Sequence, residues 1–275
     1  MSRISLARKN IVITGASQGI GAAICRQLAR EGANISLIAR NLRVIKTLVE
    51  ELKANHPGGS FTGYSADVGD HKALKKVTKE ILKKMPAIDG IISNAGMAYP
   101  KKFSDTTIEE FEDINRVKYL GAVYLVKELY PFLTPGGFVS FTSSVAGYLG
   151  VFGYSSYVGP NFALVGLAET LMQEFVEKNI YVSVLCPPDT ATPGYENEEK
   201  TKPLETKKLS GKVRLMSPGD VARVYVKKLK KGKFIILVNL DSRFVYVLKR
   251  LMPVYTVRIM TAMVKKIQRK IKSVI

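Results

Sequence analysis

Two histidines and two cysteines in 275 residues leave this chain little with which to bind a metal or close a disulfide. His56 and His71 stand apart, at positions that read as exposed loop or helix, and no cluster of metal ligands surrounds them, so no metal site is expected. Cys25 and Cys186 lie in apolar segments far apart in sequence. Free buried thiols in a reducing compartment are the simple expectation; one disulfide between them is the alternative. Nor does any apolar run approach the ~20 residues that span a bilayer. Residues 1–8 are short and polar, so no secretory leader is expected. No repeat of solenoid period appears. Acids are scarce too: 23 Asp and Glu stand against 42 Lys and Arg, a formal net charge of +19. That excess suits nucleic acid, an anionic membrane surface or an anionic cofactor, and its distribution must decide.

What is present suits one large soluble domain, with 46% hydrophobic residues to build a core. Through the first two-thirds, short apolar strands alternate with helical patterns, the requirement of a parallel sheet wound with crossover helices. Strands are expected at 10–14, 35–39, 61–66, 90–93, 137–142 and 181–185. Helices are expected at 18–31, 41–55, 116–132 and 155–177, with a lysine-rich one between the third and fourth strands. The fold class is therefore α/β: a Rossmann-type doubly wound parallel sheet in a single domain, residues 1–243, with a basic amphipathic C-terminal extension, residues 244–275. Residues 187–216, rich in Pro, Thr, Glu and Lys, show no sustained apolar period and read as a substrate loop or lid. Ser217 then offers an N-cap, with Pro218 at the first helical position and Asp220 in the first turn.

Between the first strand and first helix stands Thr14-Gly15-Ala16-Ser17-Gln18-Gly19-Ile20-Gly21. Gly15 permits a tight turn, Gly19 lets a pyrophosphate approach the backbone, and Gly21 lets the helix pack on the strand. Free amides at the helix N-terminus face the phosphates, which makes Gly15, Ser17, Gln18, Gly19, Ile20 and Gly21 candidate cofactor contacts. At the end of the second strand the acid that would accept from an adenine-ribose hydroxyl is missing. Arg40 stands there instead, suited to charge-assisted bonds with a 2′-phosphate. NADP(H) is the expected cofactor.

These motifs resemble those of the short-chain dehydrogenase/reductase family over roughly residues 8–240. The resemblance implies that Asp67 and Val68 contact the adenine, that Asn94-Ala95-Gly96 is the motif after the fourth strand, and that Pro187 and Thr190 also meet the cofactor. It implies Ser144 and Tyr157 as catalytic serine and tyrosine. Three stretches, 95–98, 166–169 and above all 187–194 with 201–206, are similar to the branch that reduces 3-ketosphingoid bases. Reducing a ketone requires a hydride and a proton, and a phenol of pKa ~10 delivers a proton best when a neighbour stabilises its anion. One unit charge ~4 Å away is worth roughly 4 kcal/mol at an effective dielectric near 20.

Here a further absence matters. The family's Y-x-x-x-K reads Tyr157-Val158-Gly159-Pro160-Asn161, and its N-x-x-G reads Lys118-Tyr119-Leu120-Gly121. The lysine and asparagine have exchanged places, so Lys118 is expected to supply the cation from the facing helix while Asn161 holds the ribose or a relay water. Pro160 is expected to kink its helix.

Tyr148, Phe152 and Tyr154 are candidate liners of an apolar substrate channel, with plain core packing as the alternative. Residues 244–275 carry eight Lys and Arg and no acid, at spacings that predict a basic amphipathic helix able to lie on an anionic membrane. Packing on a partner subunit is the other reading, in a homodimer or homotetramer. The expected partner is a long-chain lipid ketone. The expected place is cytoplasmic and peripheral on a membrane, the cytosolic face of the endoplasmic reticulum in a eukaryote. A steroid, retinoid or 3-ketoacyl substrate, or a catalytically silent NADP(H)-binding protein, are the alternatives. No nucleic acid is expected, because no recognised module or stacking aromatics accompany the basic tail.

Overall fold

The computed structural model describes residues 4–211 and 214–273. Expectations that fall on residues 1–3, 212–213 and 274–275 lie outside them. The chain alternates strand and helix as β1 Asn10–Thr14, α1 Gly19–Arg30, β2 Asn34–Ala39, α2 Leu42–Asn55, β3 Phe61–Ser65, α3 His71–Lys84 and β4 Ile88–Ser93. It continues with α4 Ile108–Asn115, a π-helical turn at Arg116–Leu120, α5 Gly121–Leu129, β5 Leu133–Thr142, α6 Ser155–Glu174 and β6 Tyr181–Cys186. Last come α7 Pro193–Thr201, α8 Leu204–Ser210, α9 Pro218–Leu229, β7 Ile235–Leu237, α10 Leu240–Leu251 and α11 Pro253–Lys272.

The strands form one sheet in the order β3-β2-β1-β4-β5-β6-β7, with every pairing parallel. Their near-continuous burial follows from cover on both faces, as parallel sheets require. Ile24 and Leu28 of α1, Ile45 and Leu48 of α2 and Val221 and Tyr225 of α9 fill one side. Leu74 and Ile81 of α3, Leu125 and Leu129 of α5 and Leu164 of α6 fill the other. The winding reverses between β1 and β4, which opens a crevice beyond their carboxyl ends. Cys25 and Cys186 are both free and buried, on opposite sides of the sheet, so the disulfide alternative falls.

Two expectations are corrected, over residues 116–132 and 187–216. The helix expected over 116–132 begins earlier and is interrupted: α4 is entered through a capping box between Thr107 and Glu110, and the π turn separates it from α5. The substrate segment holds two helices where none was expected: Thr192 caps α7, accepting from the Tyr195 amide, with Pro193 in its first turn, and α8 follows. α6 runs on through Pro160 to Glu174. Position 243, the expected domain boundary, lies inside α10, whose N-cap is Asn239. The Ser217 cap is as expected, its hydroxyl accepting from the Asp220 amide at 3.0 Å.

Candidate active site

The crevice is a cavity of about 460 Å³. Its first wall is the glycine-rich turn, where Gly15 and Gly19 sit at φ +64° and +57°, backbone that only glycine adopts cheaply. Close approach decides the rest: a Cβ on Gly21 would lie 2.1 Å from the Gly15 carbonyl oxygen, and one on Gly15 would lie 2.8 Å from the Ala95 backbone. The Thr14 hydroxyl accepts from the amides of Asn94 at 3.1 Å and Ala95 at 3.3 Å, and the Asn94 side chain donates to the Gly15 carbonyl at 3.2 Å. The ends of β1 and β4 are thereby tied into one surface.

Ser17, Gln18, Gly19, Ile20, Arg40, Asp67, Val68, Asn94, Ala95, Gly96 and Pro187 all line this cavity with Gly15 and Gly21. The first turn of α1 carries no acid, so its amides meet an anion unopposed. Arg40 is exposed at the cavity rim beyond β2, beside Asn41 and at the position where an acid would serve a ribose hydroxyl. These features fit a dinucleotide with a phosphate on its adenine ribose. Thr190 is not on the wall: it is 5% exposed, bridges to Met216, and donates to the Pro188 carbonyl at 2.8 Å.

Tyr157, in the first turn of α6, projects into the same cavity with Lys118. The π turn swings Lys118 inward, a distortion that recurs at functional sites. Lys118 is 4% exposed; its ammonium donates to the Thr142 carbonyl at 2.7 Å and lies 5.7 Å from the centre of the Tyr157 ring. A Cβ on Gly96 would lie 3.0 Å from Nζ, so that glycine makes the room. Burial pulls the Lys118 pKa down to about 8, opposed by the charge of Glu198. The Tyr157 phenol is pushed well above its ordinary range, first by burial and then by Glu198, while Ser144 and Asn161 beside it ease its ionisation.

Ser144 caps a short turn, its oxygen accepting from the Ala146 amide at 3.2 Å, and it flanks Tyr157 from outside the cavity lining. Asn161 is fully buried. Its amide donates to the Tyr157 carbonyl at 2.8 Å, and its Oδ1 accepts no hydrogen bond from the protein. Asn161 does not line the cavity, and its buried acceptor calls for a donor. Tyr148 and Tyr154 are packed side chains rather than channel walls: Tyr148 donates to the Ser242 carbonyl at 3.1 Å, and Tyr154 to Glu198 at 2.8 Å. Phe152 lies off the lining too.

Sequence reading missed Glu198, Tyr195 and Asn197, which α7 brings to the cavity with Thr192 and Gly194. The Thr192-Pro193 pair, an N-cap before a proline, was the signal that could have found them.

The profile of the short chain dehydrogenase family matches residues 9–203. The chain belongs to that family, and is an oxidoreductase. It is 38% identical over 237 residues to a 3-ketodihydrosphingosine reductase of Bos taurus, covering 84% of this chain and 71% of that one. A 3-ketodihydrosphingosine reductase of Dictyostelium discoideum is 36% identical over 258 residues, 87% of this chain and 77% of its own. Among solved structures, an alcohol dehydrogenase of Thermococcus sibiricus complexed with 5-hydroxy-NADP superposes with TM-score 0.72 at 27% identity, over 83% of this chain and 94% of that one. A short chain dehydrogenase/reductase of Burkholderia phymatum shares the fold at TM-score 0.80 and 21% identity, over 90% and 94% of the two chains.

Proposed function

We propose that this oxidoreductase reduces the ketone of 3-ketodihydrosphingosine to the alcohol with NADPH. One observation carries the reading: a buried ammonium, Lys118, lies over the ring of Tyr157 on the wall of the cavity that the glycine-rich turn opens. The names of the relatives supply the substrate, and the rim arginine, Arg40, supports NADPH over NADH.

The glycine turn and the α1 amides would hold the pyrophosphate, Arg40 the 2′-phosphate, and Asp67 and Val68 the adenine side. Bound there, the cofactor supplies the hydride. Tyr157 Oη gives its proton to the oxygen that becomes the alcohol, and Ser144 polarises that oxygen. Lys118 lowers the cost of the phenolate left behind. Asn161 Oδ1 suits a water between α6 and the π turn, through which the phenol regains its proton.

The second part of the proposal concerns place. Among the described residues no helix is long and apolar enough to cross a membrane. α10 nevertheless exposes Leu240, Phe244, Val247 and Leu251, one stripe at helical spacing. α11 continues it with Val254, Tyr255 and Ile259 among basic residues. Such a surface suits an anionic bilayer, the phase into which a long-chain ketone partitions. α11 packs on α8 of the substrate segment, which would put the entrance near the lipid. The other use of this stripe is the interface of a homo-oligomer.

The deciding assay follows NADPH oxidation with 3-ketodihydrosphingosine, beside NADH and a short-chain ketone. Turnover is expected with NADPH and the long-chain amine. Nucleotide binding without turnover of any ketone would overturn the reading.

A further inference from the structure

Ketone reduction alone has no use for Glu198. This residue of α7 lines the cavity with Tyr157 and Lys118, and Tyr154 Oη donates to its Oε2 at 2.8 Å. Burial raises its carboxyl to about 7. The buried cation of the same segment, Lys202, pairs with Glu199 and lies 4.3 Å from the centre of the Tyr195 ring. Asp189 is buried nearby but does not line the cavity.

Left to itself, an anion in this position works against the reaction. Tyr157 must become a phenolate, and the Glu198 charge raises the cost of that step. A simple ketone would do better with a neutral residue here. An ammonium beside the ketone reverses the sign, because docking it neutralises Glu198 at the moment the proton is needed.

We propose that Glu198, braced by Tyr154, is the receptor for the substrate's ammonium group and selects 2-amino-3-ketones over plain ketones. This rests on the reading of Tyr157 as proton donor to the 3-ketone. The amine sits on the carbon next to that ketone, so its counter-ion must stand within short reach of the phenol. Glu198 meets that condition through Tyr154, whose ring centre is 5.9 Å from that of Tyr157. A carboxylate receiving an ammonium makes a charge-assisted hydrogen bond, the strong kind.

The test compares kcat/KM, at saturating NADPH, for 3-ketodihydrosphingosine and for the same-length 3-ketone lacking the amine. Glu198→Gln keeps the size and removes the charge. It is expected to collapse the wild-type preference for the amino ketone by about 10- to 100-fold. Glu198→Asp, which retracts the charge by one carbon, gives an intermediate fall. An unchanged ratio in both variants, whatever happens to the absolute rates, overturns the proposal and leaves Glu198 a structural partner of Tyr154. Should the wild type reduce neither ketone, the functional reading fails separately. Calorimetric binding of the long-chain 2-amino alcohol dihydrosphingosine to the NADPH-loaded protein then still decides: a Kd equal in wild type and Glu198→Gln sinks the ammonium site.

Discussion

The Lys118 ammonium lies 5.7 Å from the ring centre of Tyr157 and is anchored by the Thr142 carbonyl, although the two residues come from different helical segments. A unit charge at that separation is worth roughly 3 kcal/mol at an effective dielectric near 20, or about 100-fold in rate. Lys118→Met should therefore lower kcat by about that factor while NADPH binding, read by fluorescence quenching, survives. The double exchange Lys118→Asn with Asn161→Lys returns the cation to α6 and should recover part of the loss. Full turnover in Lys118→Met would show that the phenol draws its support elsewhere.

The pH profile separates the two charged neighbours. Burial depresses Lys118 to about 8, so its ammonium is present below that pH and lost above it. Glu198 is raised to about 7, so its carboxylate is present above that pH and lost below it. The groups that bear on this pair are Cys186 of β6, Tyr154 and Tyr157 of α6, Asp189, Glu199 and Lys202. For the amino ketone, kcat/KM should be bell-shaped, falling below about 7 and above about 8. With the des-amino ketone the acid limb should vanish and the alkaline limb remain, because that substrate has no ammonium for the Glu198 carboxylate to receive. An alkaline limb that persists unchanged in Lys118→Met would assign it to another group.

Arg40 tests the cofactor. It stands at the cavity rim where a carboxylate would serve a ribose hydroxyl. Arg40→Glu should raise KM for NADPH by about 10- to 100-fold, the value of hydrogen bonds to a charged group. KM for NADH should fall or hold. Equal effects on both cofactors would mean that the 2′-phosphate is held elsewhere.

Much of this site was legible because glycine positions and strand ends report backbone geometry directly. Gly15 and Gly21 are where no Cβ fits, and the missing acid at Arg40 is a property of one position. The Lys118/Asn161 exchange was legible for the same reason: two motifs each lacked one residue. What escaped depended on burial. Glu198 reads in sequence as one acid of a charged run, and only the folding of α7 over the cavity takes it out of water. The π turn was hidden because its residues are ordinary helix formers. Thr190 was misplaced because its neighbour Pro187 does reach the wall, whereas its own hydroxyl turns back to Pro188.

The apolar stripe of α10 carries the last prediction. Phe244 and Leu251 are 69% and 76% exposed, and the basic residues of α11 lie beside them. Burying one such side chain is worth about 1.5–3 kcal/mol, and each Lys or Arg near an anionic surface adds roughly 1 kcal/mol. Full-length protein should float with vesicles containing phosphatidylserine, float poorly with neutral phosphatidylcholine, and detach as salt approaches ~1 M, where charges are screened within about 3 Å. Phe244→Glu with Leu251→Glu should stay in the dense fraction and keep its turnover of detergent-dispersed ketone, because neither side chain lines the cavity. If that variant floats as well as the wild type while a sizing column shows a dimer dissociating, the stripe is a subunit interface and the membrane seat is wrong.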